Sequence, residues 1–210
     1  MKERLDILLV KRGLVDSRQK AQSLIMAGEV IVNNQRVDKS GSRFSRDCDL
    51  RLKSQLPYVS RGGLKLESVY KSLDFEIQGL SFMDVGSSTG GFTDFLLQNG
   101  AQRVFCIDVG TNQLHNKLRQ DGRVESREKT HILNFPAEDL PFSIDTIVMD
   151  VSFISVTRIF DHLRTLGKDG HHLICLIKPQ FEVGKNHVGS KGVIRDFDLT
   201  LGALKNTLDS

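Results

Sequence analysis

Apolar positions near the N-terminus follow two periods. Leu5, Leu8 and Leu9 recur at helical spacing until Gly13 interrupts them. Asp16, with Gln19 in the capping-box position, predicts a second helix that carries Ala21, Leu24 and Ile25 on one face and ends at Gly28. Residues 30–32 and 35–37 read as strands joined by an Asn33-Asn34 turn. The stretch LPYVSRGG, from Leu56 to Gly63, reads as a linker over 57–63, and Ser60 predicts the cap of a helix running from about Arg61 to Leu73.

From there the pattern alternates. Strand-like runs fall at 82–85, 104–109, 146–149 and 173–177, with a weaker one within 128–135, and helical stretches fit at 93–98, 113–118, 154–166 and 199–208. Strands alternating with helices predict an α/β fold, a doubly wound and mostly parallel sheet over residues 64–210, preceded by a small α+β domain over 1–56.

Charge sharpens this division. Residues 1–65 hold 14 Lys+Arg against 7 Asp+Glu, a net +7, whereas the remainder is −4. A basic head on a mildly acidic body points to a polyanionic partner, against the plainer alternative of a solvated basic surface. Arg18, Lys20, Arg36, Lys39 and Arg43, joined by Arg61, are the candidate nucleic-acid contacts. Cys48, Cys106 and Cys175 form no CxxC pair, so neither a metal site nor a disulfide framework is expected. The longest early apolar run, 7–10, is far too short for a signal peptide or membrane span, and a cytoplasmic protein is expected.

The sharpest local signal is Asp84-Val85-Gly86-Ser87-Ser88-Thr89-Gly90-Gly91-Phe92, placed between a strand and a helix. Glycine there lets backbone approach a cofactor at a strand's carboxyl end. The spacing is GxxxGG rather than the GxGxxG of dinucleotide binding, with an acidic residue two positions ahead of the first glycine. This opening resembles motif one of class I methyltransferases, which implies S-adenosylmethionine as cofactor. Asp108, with Val109 beside it, ends the next strand about 20 residues on, where a carboxylate holds ribose hydroxyls. Asp150 and Lys178 end the fourth and fifth strands and face the same crevice, as a catalytic pair or as a salt bridge closing the sheet.

YVSRGGLKL, MDVGSSTGGFTD, MDVSFIS and IKPQFE, in that order, resemble the TlyA family, whose catalytic domain belongs with the FtsJ-like ribose 2′-O-methyltransferases. The first 60 residues resemble the RNA-binding domain first described in small-subunit ribosomal protein S4. The resemblance implies a Lys-Asp-Lys-Glu catalytic set, with Lys65, Asp150 and Lys178 as its first three members. It also implies ribosomal RNA as partner and a cytidine ribose as acceptor. The glutamate is expected well downstream of Lys178; Glu182 is not it, and none is found before Ser210. With five strands counted where seven are expected, the methyltransferase domain is expected to be incomplete. His187, Lys191 and Arg195 are ordinary loop residues or RNA contacts. Two rivals remain at this point: a non-catalytic RNA-binding or ribosome-assembly factor, and a membrane-lytic haemolysin, a label that TlyA-like proteins carry.

Overall fold

The computed structural model describes residues 2–52, 57–73, 75–184, 187–189 and 192–210. Leu56 and Lys191, both singled out above, lie outside them. The chain forms two compact units, Met1–Leu56 and Pro57–Ser210.

In the first unit, β1 (Lys2–Arg4) leads into α1 (Leu5–Lys11), followed by α2 (Arg18–Met26), β2 (Val30–Val32), β3 (Gln35–Val37), β4 (Arg43–Ser45) and β5 (Leu50–Leu52). β2 lies between β3 and β5 in an antiparallel sheet, and β1 pairs with β4. Asn33 and Asn34 take φ of 49° and 64°, the left-handed pair that a two-residue hairpin turn requires and asparagine tolerates. The cap of α2 is Ser17, one residue after the expected Asp16: its hydroxyl accepts from the Lys20 amide at 3.2 Å, three residues on. The strands β1, β4 and β5 gave no sequence signal: they are as short as β2 and β3 but have no Asn-Asn turn beside them to mark a hairpin.

Leu5, Leu8, Leu9, Ala21, Ile25, Val30 and Val32 form the core of this unit. Asp6 is buried with them at 0% exposure, its carboxylate accepting from Arg4, Arg18 and Gln22 at 2.9–3.0 Å. The Arg4 hydrogen bond, with help from Gln22 and Arg18, outweighs burial and holds this carboxyl below its usual 3.8. A depressed folded value contributes stability that is present above the unfolded value and lost as pH falls through the folded one. Asp6→Asn is therefore expected to lower the denaturation midpoint most at pH 6 and somewhat less at pH 3, which lies below the unfolded value but still above the folded one. Equal losses at the two pH values would contradict this account.

The second unit contains α3 (Gly62–Tyr70), β6 (Ser81–Val85), α4 (Gly91–Gln98), β7 (Arg103–Ile107), α5 (Asn116–Arg119), β8 (Val124–Arg127), β9 (Thr146–Met149), α6 (Thr157–Arg164), β10 (His172–Cys175), α7 (Pro179–Glu182) and α8 (Phe197–Leu208). The sheet order is β10-β9-β6-β7-β8, all parallel. Successive side chains of β6 point to opposite faces. Phe82 packs with Phe95, Leu96 and Leu118 on one side, and Met83 and Val85 with Ile107, Ile147 and Ile159 on the other. Burial on both faces is why these strands read as continuous apolar runs.

Three expectations need correction. The segment 57–63 is packed rather than a linker. Tyr58 is in the core, edge-to-face with Phe95 at 5.5 Å, and the Val59 amide donates to Asp94 Oδ2 at 2.8 Å. Burial of an aromatic ring outweighs the turn-forming composition around it. Ser60 precedes the N-cap position, held by Arg61, and α3 stops at Tyr70 rather than Leu73. The third strand of the sheet is Val124–Arg127 and not within 128–135, where a short 3-10 turn lies. As an edge strand it is mostly exposed, so its polar composition hid it.

Candidate functional site

β6 is followed by β7 on one side of the sheet, and the chain later returns to place β9 on the other side of β6. This reversal opens a crevice beyond the carboxyl ends of β6 and β9. Gly86 follows β6 and Asp150 follows β9, so both loops meet there. Gly86 has φ of 79°, and a Cβ on it would lie 3.0 Å from the Asp150 carbonyl oxygen, so only glycine lets the two strand ends approach.

The crevice has two lobes that share Gly86, Ser88, Asp150 and Ser152. The first, about 280 Å³, is lined by the glycine loop together with Ser60, Lys65, Asp84, Phe92 and Lys178. The second, about 500 Å³, has Asp108 and Gln113 among apolar walls from Val109, Ile132, Val151 and Ile154.

Asp84 is 1% exposed, and its Oδ2 accepts from the Thr93 amide at 3.1 Å and hydroxyl at 2.6 Å, tying the end of β6 to the start of α4. Burial raises this carboxyl to about 7 against the pull of the Thr93 hydrogen bonds, and the negative charges of Asp150 and Asp108 add to the rise. Asp108 accepts from the Ser88 amide at 2.8 Å and the Gly110 amide at 2.7 Å, which holds the glycine loop against the end of β7.

At the mouth of the first lobe Asp150 sits between two lysines. Lys65 Nζ, from α3, donates to Oδ2 at 2.7 Å; Lys178 Nζ lies 2.6 Å from Oδ1 and donates to Ser152 Oγ at 2.7 Å. Burial works against ionisation of Asp150, but the hydrogen bonds and charges of Lys178 and Lys65 prevail and hold its carboxyl below the ordinary range. Three residues spaced 85 and 28 positions apart in the sequence thus converge on one point.

The other candidates divide. Gly86, Ser87, Ser88, Thr89, Gly91, Phe92 and Val109 line the lobes, but Gly90 does not. At φ of 89° its amide donates to the Ser87 carbonyl, and Leu118 and Leu114 press where a Cβ would stand, so Gly90 shapes the loop from behind. In the first unit Lys20, Lys39 and Arg43 are exposed; Arg18 is engaged with Asp6, and Arg36 folds over Gly28. Arg61, in the second unit, is exposed, as are His187 and Arg195.

Two features were not read from the sequence. Ser152 stood in a quoted motif without a role, and it is the hydroxyl partner of Lys178. Phe153 likewise stood in that motif without a role; it is 91% exposed at φ of 68°, lines the second lobe and packs on Phe181 at 5.3 Å. An apolar residue inside an apolar run gives no sign of exposure, and no pattern reveals a left-handed backbone.

Among the described residues no helix is long and apolar enough to cross a membrane. Residues 58–208 match the FtsJ-like methyltransferase family and residues 3–47 the S4 domain. The chain is 47% identical to YqxC of Bacillus subtilis (strain 168), over 99% of the chain and 74% of that protein. It is 38% identical to the 16S/23S rRNA (cytidine-2′-O)-methyltransferase TlyA of Mycobacterium tuberculosis (strain ATCC 25618 / H37Rv), over 92% of the chain and 73% of the relative. A solved structure of a hemolysin-like protein from Streptococcus thermophilus superposes with a TM-score of 0.74 at 40% identity, covering 99% of this chain and 77% of that one.

Proposed function

The chain belongs to the FtsJ-like methyltransferase family and carries an S4 domain ahead of the methyltransferase domain, and from this premise we propose that it methylates a cytidine ribose 2′-hydroxyl in ribosomal RNA with S-adenosylmethionine. The observation that carries the reading is the convergence of Lys65, Asp150 and Lys178 beside a glycine-walled crevice.

The residues present fit that cofactor. It is a cation with two polar ends, and the carboxylates of Asp108 and Asp150, with the buried carboxyl of Asp84, surround a crevice of two lobes. Asp108 would hold the ribose hydroxyls, the apolar walls of the second lobe would hold the base, and the glycine loop would hold the amino-acid end. When bound, the cofactor supplies a methyl group already activated on a sulfonium.

The chain's own task is then to place the 2′-hydroxyl and manage its proton. Lys178 is the group that orients the hydroxyl or takes its proton. Asp150 fixes Lys178 and keeps negative charge beside the site, because its two lysine partners hold it ionised. Lys65 positions the hydroxyl or a neighbouring phosphate. Phe153 offers an exposed aromatic face on which the acceptor's base stacks. In the first unit Lys20, Lys39 and Arg43, together with Arg61 of the second, add phosphate contacts that weaken with salt.

The reading is tested with labelled S-adenosylmethionine and ribosomal subunits lacking the modification. Transfer to RNA that makes one phosphodiester bond resistant to alkaline cleavage, as ribose methylation must, is expected. Label on a base would refute the ribose assignment, and saturable cofactor binding without any transfer would favour the non-catalytic RNA-binding factor.

A further inference from the structure

The loop after β9 and the turn after β10 are joined by three side-chain ties in register. Lys178 is the N-cap of α7, with an extended backbone, and Phe181 and Glu182 lie at the end of that short helix. Lys178 meets Asp150 and Ser152; Phe181 packs on Phe153; Glu182 Oε2 accepts from the Ser155 hydroxyl at 2.6 Å and Oε1 from the Val156 amide at 3.0 Å. The Ser155 proton is committed to Glu182, so the 2.8 Å contact between Ser155 and Thr157 has Thr157 as donor. The carboxylate therefore closes a chain of hydrogen bonds at the start of α6.

Local structure alone does not fix where Lys178 stands. A four-residue helix has too few internal hydrogen bonds to hold itself. β10, which delivers the lysine, pairs with β9 alone among the described residues. On the facing loop Phe153 holds a left-handed backbone, which a bulky side chain keeps only when its surroundings impose it. Glu182 lines neither lobe of the crevice, so it does not meet the reacting atoms.

We infer that Glu182 is a positioning residue for methyl transfer, latching the loop that carries Asp150, Ser152 and Phe153 to the turn that carries Lys178. The inference rests on the roles given above to Lys178 and Asp150. The latch works by accepting hydrogen bonds, not by charge at the reacting centre. Glutamine keeps a carbonyl acceptor for the Val156 amide, and its NH2 donates to the Ser155 oxygen while the Ser155 hydroxyl turns to donate to Thr157, so the tie survives with these two bonds reversed.

The test compares Glu182→Ala, Glu182→Gln and Ser155→Ala in the full chain by two readouts. In Glu182→Ala, hydrogen exchange at the Val156 amide and its neighbours is expected to accelerate. kcat is expected to fall about 10- to 100-fold, the scale of a misplacement of about 1 Å, with KM for RNA and cofactor affinity little changed. Glu182→Gln restores most of the rate, and Ser155→Ala, which removes one tie from the opposite loop and spares α7, shows a smaller loss of the same kind. Glutamine as inactive as alanine would overturn the inference, since the charge itself would then be needed. So would alanine variants that melt at lower temperature yet keep kcat, which marks a structural role only. Unchanged exchange at Val156 overturns the latch whatever the activity does. Absence of transfer by the unmodified chain refutes the methyl-transfer reading instead, and the exchange experiment still decides the latch.

Discussion

Replacing Lys178 by alanine is expected to slow methyl transfer by about 10²–10⁴-fold, the range of a lost general base or orienting group, with cofactor affinity largely kept. The lysine stands 2.6 Å from Asp150 and 2.7 Å from Ser152, so its ammonium is held on two sides and directed into the first lobe. Lys178→Arg separates the two possible tasks. Guanidinium keeps the positive charge but does not give up its proton in proteins. If arginine restores transfer, Lys178 only orients the hydroxyl; if arginine is as slow as alanine, Lys178 first gives its own ammonium proton to solvent and the neutral amine then takes that of the hydroxyl. Asp150 sharpens the pH profile. Its carboxyl lies below the ordinary range, so any acidic limb of the rate profile above about pH 4 belongs to another group. A Lys178→Ala chain that transfers methyl groups at the normal rate would show that the Lys-Asp-Lys cluster is only a bridge closing the sheet.

Asp108→Ala is expected to weaken S-adenosylmethionine binding by roughly 100-fold. A hydrogen bond to a charged group contributes about 1.5–3 kcal/mol, and about 1.4 kcal/mol is tenfold in affinity. Asp108 has two functions in this estimate. Each oxygen already accepts one backbone amide, from Ser88 and Gly110, and each keeps a lone pair for a ribose hydroxyl. Alanine therefore removes the ribose contact and releases the glycine loop together. Asp108→Asn keeps one carbonyl acceptor and should fall between the two. Calorimetric titration gives both affinities directly. An unchanged Kd in Asp108→Ala would move the cofactor away from the end of β7 and with it the assignment of the second lobe.

Much of this arrangement was written in local pattern. Strands buried on both faces are mostly apolar, so β6, β7 and β9 were evident; β10, at the other edge, was evident because it keeps an apolar Leu173-Ile174-Cys175 run, and the alternation of these strands with helices determined a parallel α/β sheet before any coordinates. The glycine loop was legible because a backbone forced to φ of 79° at Gly86 and 89° at Gly90 excludes other residues. Asp108, Asp150 and Lys178 were legible because charge at the end of an apolar strand has few places to go other than the crevice. β8 was missed because an edge strand has one solvated side and no need of apolar residues. The segment 57–63 was misread because turn-forming composition describes flexibility in isolation, whereas Tyr58 finds a cavity beside Phe95 that no local pattern announces.

What the sequence determined by itself is therefore the fold class, the glycine-rich loop after β6 and the identity of the charged residues at the strand ends, all properties of short segments and their periods. Only the tertiary structure decided which of those residues meet. That Lys65 reaches Asp150 across 85 positions, that Ser152 receives Lys178 and that Glu182 latches Ser155 follow from the order in which the strands assemble. The outward turn of Phe153 belongs with them. Such long-range contacts leave no local trace, because each partner is chosen by the packing of the whole sheet.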